Sequence, residues 1–188
     1  SAPQKGWSGS PCAGLVMLSA HGETVLQETT STSFSCDLKK WRENMAAYEN
    51  GGHAYHATMP TDGLRAFAEV MRETREMGFA DARAAQEELG RRVRELLEGQ
   101  GIKSLAATGF KAPSVVVSYT DDPEMQTGKK FAQLGMQIAA GVPLQCDEGD
   151  DFRTFRIGLF GLDKLKDIDR TVSLFSKTLE QIAIDDAA

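Results

Sequence analysis

The chain has 188 residues, of which 41% are hydrophobic and 26% charged, and a formal net charge of −6. That length suits one domain, or one domain and part of another. The acidic balance argues against a broad nucleic-acid or anionic-membrane surface but leaves room for a small local anion site.

No segment has the roughly 20 consecutive apolar residues of a spanning helix, and no basic stretch precedes the short apolar run near the start, as a secretory signal requires. Cys12, Cys36 and Cys146 are widely spaced and form no CxxC pair. They read as reduced thiols, which favours a cytoplasmic protein; with the acidic balance and no spanning segment, neither a membrane nor a nucleic-acid partner is expected. The first residue is Ser rather than Met, so a fragment or a processed product is expected.

In chain order, Ala13-Gly-Leu-Val-Met-Leu18 is a continuous apolar run after turn residues and predicts a buried strand. The hydroxyl-rich stretch from Thr29 predicts irregular structure, with Asp37 capping a short helix from Leu38 to Tyr48. Residues Glu49 to Gly52 end that helix. After Pro60, Thr61 or Asp62 can cap a helix on which Leu64, Phe67, Val70 and Met71 share a face. Gly78 interrupts it. The spacing of Ala82, Ala85, Leu89, Val93 and Leu96 then continues to Gly99, as one broken helix or two.

Ser114 to Tyr119 is β-branched and predicts a strand. Thr127 to Met136 predicts a helix, and Gln137 to Ala140 a short strand. Phe152 to Phe160 predicts a further strand, with Phe152, Thr154, Arg156 and Gly158 on one face. Leu165, Ile168, Val172, Phe175, Leu179 and Ile182 step by three or four and predict the last helix. Alternating strands and helices indicate an α/β or α+β fold, with residues 61–188 closing a small sheet covered by helices. Residues 1–60 are too poorly periodic to bury much alone and read as the end of another, incomplete domain. Apolar Leu15, Val16 and Met17 would then be left exposed, giving disorder or dimerisation there.

Several residues carry chemistry. Lys5, in a Pro/Gly/Ser-rich stretch, is either a solvated surface charge or a Schiff-base lysine, which would need desolvation or cationic neighbours to act as a nucleophile. Arg156 stands in an otherwise apolar strand, where an unpaired charge is expensive. It grips a ligand carboxylate or pairs with an acid of the Asp147–Asp151 run. Tyr55 and Thr58 belong to a polar turn before Pro60. His53 and His56 have HxxH spacing, but no suitable third ligand is near, so no metal site is expected and His56 reads as packed. Trp7 is expected to pack.

Three segments in order carry a family resemblance. Ser-Ala-Pro-Gln4-Lys5-Gly, leading into a Ser/Pro/Gly loop and an apolar run, resembles the cofactor-lysine segment of the class V aminotransferases. These are fold-type I enzymes that use pyridoxal 5'-phosphate, and the likeness is greatest to the alanine–glyoxylate and serine–glyoxylate (serine–pyruvate) transaminases. Tyr55-His-Ala-Thr58-Met-Pro60 resembles the family's Tyr-His-x-Thr-x-Pro segment. Phe155-Arg156-Ile-Gly-Leu-Phe-Gly161 resembles its Phe-Arg-Ile-Gly-x-x-Gly segment.

The resemblance implies that Lys5 carries the cofactor and moves the substrate proton, and that Gln4 binds the cofactor phosphate. It also implies that Tyr55 and Thr58 reach the phosphate of the neighbouring subunit's cofactor in a homodimer with shared active sites, and that Arg156 holds the substrate carboxylate. The substrates implied are a small amino acid of the alanine or serine type and a 2-oxo acid such as glyoxylate or pyruvate.

In that family the partner of the pyridinium nitrogen, the stacking ring and the phosphate cup lie upstream of the lysine. The chain therefore reads as the C-terminal part of such an enzyme, with residues 1–60 the tail of the large domain and 61–188 the small domain with its linking helix. By itself it would be inactive, or a non-catalytic folded module acting in dimerisation. Ala139 to Gly149 departs from the Gly-rich loop common in the family and leaves substrate preference open, and Gly6 and Trp7 replace small aliphatic residues. A cysteine desulfurase on the same fold is disfavoured, because the acidic run around Cys146 would weaken its thiol as a nucleophile.

Overall fold

A computed structural model describes residues 1–187. Its elements are α1 (Ala20–Glu28), α2 (Leu38–Glu49), α3 (Thr61–Met77), α4 (Phe79–Gly99), β1 (Val115–Tyr119), α5 (Pro123–Gln126), α6 (Lys129–Gln133), β2 (Ala139–Ala140), β3 (Thr154–Gly158), α7 (Leu162–Leu165) and α8 (Ile168–Asp186). The three strands form an antiparallel sheet in the order β1-β3-β2. This is the small helix-covered sheet expected of residues 61–188. Among the described residues no helix is long and apolar enough to cross a membrane.

The strand pleat sorts side chains onto two faces. Val116 of β1 and Phe155 and Ile157 of β3 point inward. There they meet Leu89, Val93 and Leu97 from α4 and Phe175, Leu179 and Ile182 from α8. Phe131 of α6 completes this core, with its ring stacked 6.2 Å from Phe175 and tilted 5.8 Å from Phe155. The apolar spacing read in α4 and α8 is the stripe that these helices bury. Helices thus cover one face of the sheet. Val117, Tyr119 and Arg156 alternate onto the other face and are left half-buried or exposed.

Glycines set the helix boundaries. Gly78 (φ 92°) separates α3 from α4, so the long apolar pattern is two helices. Gly128 (φ 78°) is left-handed, so the expected 127–136 helix is the shorter α6, and a separate turn, α5, precedes it. A β-carbon on Gly128 would lie 3.0 Å from Ile138 Cγ1. Asp37 caps α2 by accepting from Lys40 N at 3.1 Å, as its position predicted, and Asp167 caps α8 through Arg170 N at 3.0 Å.

The first 60 residues are built differently. The Ala13–Leu18 run forms no strand and joins no sheet, contrary to the buried strand expected there. Its contacts are a reciprocal pair of bonds between Ser1 and Leu15, Ser1 N to Leu15 O at 2.7 Å and Leu15 N to Ser1 O at 2.9 Å. Met17 is 85% exposed. A short apolar run cannot by itself distinguish a core strand from an open segment, because a strand needs a neighbour to satisfy its backbone. α1 carries no buried residue and no strong periodicity.

The connection from α4 to β1 is held by Arg94. Its buried guanidinium donates to Gly90 O at 3.3 Å and Val115 O at 3.0 Å, and also to Ala112 O. Burial pushes its pKa down. Gly90 lets that crossing approach: a β-carbon there would lie 2.4 Å from the Pro113 carbonyl oxygen. Gly90→Ala is therefore expected to destabilise the fold by about 1–3 kcal/mol through overpacking against backbone. Gly99→Ala, on the same helix with open space around it, should be neutral or slightly stabilising. Urea unfolding of the two variants checks this, and equal midpoints would contradict the close crossing.

Candidate functional site

Arg156 sits on the central strand, paired in register with Val117 on one side and Ala139 on the other. Its Nε donates to Ala140 O at 2.8 Å. That bond fixes the plane of the guanidinium and leaves both terminal nitrogens available. Among the described residues no carboxylate lies within ion-pair distance, so the pairing with the Asp147–Asp151 run that the sequence left open is not formed. The side chain is half-buried on the uncovered face, so its charge avoids the desolvation cost expected inside an apolar strand. A planar fork held this way suits a carboxylate.

Beside it, residues 141–152 form a loop that satisfies itself. Gly141 makes the tightest approach in the chain: a β-carbon there would lie 1.8 Å from Thr154 O. Its own N–H donates to Gln126 O at 3.1 Å. Farther along, the Glu148 carboxylate accepts three consecutive backbone N–H groups, Cys146 N at 2.6 Å, Gln145 N at 2.8 Å and Leu144 N. Gln145 and Asp147 both adopt positive φ, 61° and 60°, which aims those amides inward. The Cys146 amide, Glu148's own and that of Gln145 hold the Glu148 carboxyl down at about 2. Between this loop and β3 lies an open groove of about 500 Å³, lined by Gln126, Val142, Gln145, Asp147, Phe152 and Thr154 among others. The sequence marks this run as a possible partner for Arg156 and as a departure from the family's Gly-rich loop, but not as a cradle closed on Glu148. The signal that it is a shaped loop is the Pro143-to-Gly149 punctuation with a carboxylate inside it.

The Lys5 motif forms a tight turn. Ser8 N donates to Lys5 O at 2.8 Å and Gly9 N to Pro3 O at 2.8 Å. Trp7 packs as expected, edge-on against Phe67 at 5.7 Å and Phe79 at 6.5 Å. The turn abuts the end of the Arg156 motif. Ser8 Oγ would lie 3.3 Å from a β-carbon on Gly161, whose φ of 112° already favours glycine. The first and third sequence motifs are thus brought together. Gln4 and Lys5 are both exposed, and no described group pairs with the Lys5 ammonium. The desolvation that Schiff-base chemistry requires is not supplied by the packing of this chain.

The second motif stands apart from these. Tyr55 Oη and Thr58 Oγ1 share a hydrogen bond of 3.2 Å and point to solvent, with Tyr55 79% exposed. No contact joins them to Lys5 or Arg156. His56 is a packed histidine: Nε2 lies 2.9 Å from Phe34 O, and its ring is 4.3 Å from Phe34 and 4.9 Å from Trp41. Among the described residues there is no cluster of metal-ligating side chains.

Comparison with solved structures identifies the architecture. The chain superposes on an alanine–glyoxylate aminotransferase from Nostoc sp. with a TM-score of 0.72 at 19% identity, covering 95% of this chain and 46% of that one. It matches a ureidoglycine–glyoxylate aminotransferase from Bacillus subtilis with a TM-score of 0.75 at 20% identity, over 100% of this chain and 46% of that one. It matches an aspartate aminotransferase from Thermus thermophilus with a TM-score of 0.70 at 21% identity, over 96% and 48%. The fold is that of the C-terminal part of a fold-type I pyridoxal-phosphate transferase. The chain spans just under half the length of each of these structures. No family model and no curated relative matches it.

The Glu148 cradle has a pH signature. A carboxyl whose folded pKa is depressed contributes stability that is fully present above its unfolded value, near 4.5, and lost as pH falls through about 2. The backbone amide resonances of Leu144, Gln145 and Cys146 should therefore hold their positions through pH 4.5 and move with a midpoint near pH 2. A midpoint at the ordinary glutamate value, or no difference after Glu148→Gln, would show that the loop is not held this way.

Proposed function

We propose that this chain is the C-terminal part of a pyridoxal-phosphate-dependent aminotransferase. It would move an amino group between a small amino acid of the alanine or serine type and a 2-oxo acid such as glyoxylate or pyruvate. The observation that carries the reading is the meeting of the Lys5 turn with the Gly161 end of the strand bearing Arg156, a guanidinium with two uncommitted nitrogens. An amine and a carboxylate fork on two segments that meet are the minimum that amino-group transfer asks of this half of a fold-type I enzyme.

The residues present fit the cofactor's chemistry. Lys5 is an amine without a competing ion pair, and Gln4 beside it offers amide donors to a phosphate. Tyr55 and Thr58 are hydroxyls held 3.2 Å apart and open to a second subunit, as a homodimer with shared sites would require. When bound, the cofactor supplies an electron sink for the substrate's α-carbon. Lys5 Nζ would carry it and move the α-proton, and Arg156 would orient the substrate by its carboxylate. In this reading residues 1–60 are the tail of the large domain and 61–188 the small domain.

One observation favours a second reading, a folded module that does no chemistry by itself. Pro3 is the single buried residue of the first 60, and the main core is drawn from Leu89 to Ile182. Lys5 therefore sits on a segment that contributes little burial.

Reductive trapping separates the two. Mixing the chain with pyridoxal phosphate and then borohydride should add one cofactor mass, mapped to Lys5 and absent in Lys5→Ala. Label on other lysines, or none, would favour the module. Arg156→Ala should weaken amino-acid carboxylate binding by roughly 1.5–3 kcal/mol, and Arg156→Lys should fail to restore it. Unchanged affinity in either variant would remove Arg156 from the site.

A further inference from the structure

The plane of the Arg156 guanidinium is set from outside its own strand. We infer that α5 holds it, through the Gln126 carbonyl and the single peptide between Ala140 and Gly141, and that Gly141 and Asp122 are therefore positioning residues for carboxylate binding. This rests on the reading of Arg156 as the carboxylate site.

One peptide carries two bonds. Its carbonyl, Ala140 O, accepts from Arg156 Nε at 2.8 Å. Its N–H, on Gly141, donates to Gln126 O at 3.1 Å. In a trans peptide these two groups point in opposite directions within one plane, so turning that plane loses both bonds together. Each bond also polarises the peptide in the sense that strengthens the other. β2 cannot hold the peptide by itself: it is two residues long, both exposed, and its pairing with β3 ends at Ala140, opposite Phe155.

The space beside the peptide is closed to any side chain. A β-carbon on Gly141 would overlap the Thr154 carbonyl and lie 2.8 Å from Thr154 Oγ1. Thr154 is buried within β3 and has no room to retreat. The 140–141 peptide would have to move instead, taking Ala140 O away from Arg156.

α5 is itself anchored. The Asp122 carboxylate caps it by accepting from Glu124 N at 2.7 Å and Met125 N at 3.2 Å. Asp122 also pairs with Lys130, which pairs in turn with Asp186 of α8. Met125 packs into the main core. A helix end leaves its last carbonyls without an internal partner, and Gly141 N fills that vacancy at Gln126 O. A line of fixed groups thus runs from the core through α5 and one peptide to the fork.

Hydrogen exchange of arginine Nε–H groups in the intact chain, followed by NMR, tests this. The Arg156 Nε–H should exchange more slowly than that of the exposed Arg65. Gly141→Ala should speed the Arg156 exchange about tenfold while the amides that pair β1 with β3 keep their protection. Asp122→Ala, which leaves the 139–158 segment untouched, should speed it about twofold to fivefold, together with exchange at Gly141 N. L-Alanine, titrated as the carboxylate probe and read at Arg156 Nε–H, should bind about threefold to tenfold more weakly to Gly141→Ala. If Gly141→Ala loosens the whole sheet, Asp122→Ala decides: unchanged Arg156 exchange there overturns the inference. A wild-type response to L-alanine with unchanged exchange and affinity in both variants would overturn the positioning alone. No response of wild-type Arg156 to L-alanine would overturn the carboxylate site, and the inference with it.

Discussion

One face of a three-stranded sheet is packed against helices and the other is only partly covered, and the chemistry depends on that asymmetry. Phe155 and Ile157 lock β3 onto α4, α6 and α8, which leaves Arg156 between them with only the opposite face to point to. A one-residue slip of register would carry the guanidinium into the aromatic cluster around Phe131 and bring Phe155 into water. Core packing therefore specifies the placement of the arginine as strongly as it specifies the fold. The Nε bond to Ala140 O then needs only to set the plane of a group whose direction is already decided.

The loop beside Arg156 follows a different logic. It has little apolar burial, and its order comes from backbone polar groups finding partners: Gly141 N on Gln126 O, and three amides on Glu148. Buried contacts are indifferent to what approaches from solvent, whereas this loop's internal bonds decide which of its donors and acceptors face outward. By filling its own cradle with Glu148, the loop occupies from within a set of amides that could otherwise hold an anion. Gly141 is the hinge of that arrangement, because no side chain fits against Thr154 O at that point.

The legible parts of the sequence are those in which one rule acts alone. The period of α8 and the β-branched run of β1 report burial directly, and Asp37 reports its cap. The apolar run at Ala13–Leu18 misleads because its meaning depends on a neighbour that a linear reading cannot supply. Gly128, inside the expected 127–136 helix, delays its start to Lys129, since a single left-handed residue outweighs several moderate propensities. The site shows the same division. Lys5 and Arg156 stand out by residue type and surrounding motif, and the structure joins their segments through Ser8 and Gly161. Glu148 is invisible beforehand, because its partners are main-chain amides whose direction is set by two non-glycine residues at positive φ. Pro143 and Gly149 mark a shaped loop, but the letters Gln-Cys-Asp-Glu between them do not say which way its amides point.

The Lys5 turn inherits its position from elsewhere. It lies in a stretch with one buried residue, Pro3, and it is held by what it leans on: Trp7 against Phe67 and Phe79, Gly9 against Phe67, Cys12 against Gly63, and Ser8 against Gly161. Most of those partners lie on the α3–α4 elbow, whose angle is set by Gly78. The bend that separates two helices is thus also the support on which the amine's turn rests, and Gly161 ties the turn to β3 from the other side. A substitution at the elbow far from Lys5 and Arg156 would move the amine relative to the guanidinium without touching either. The spacing between these two groups is therefore a property of helix geometry rather than of the exposed segment that carries the lysine.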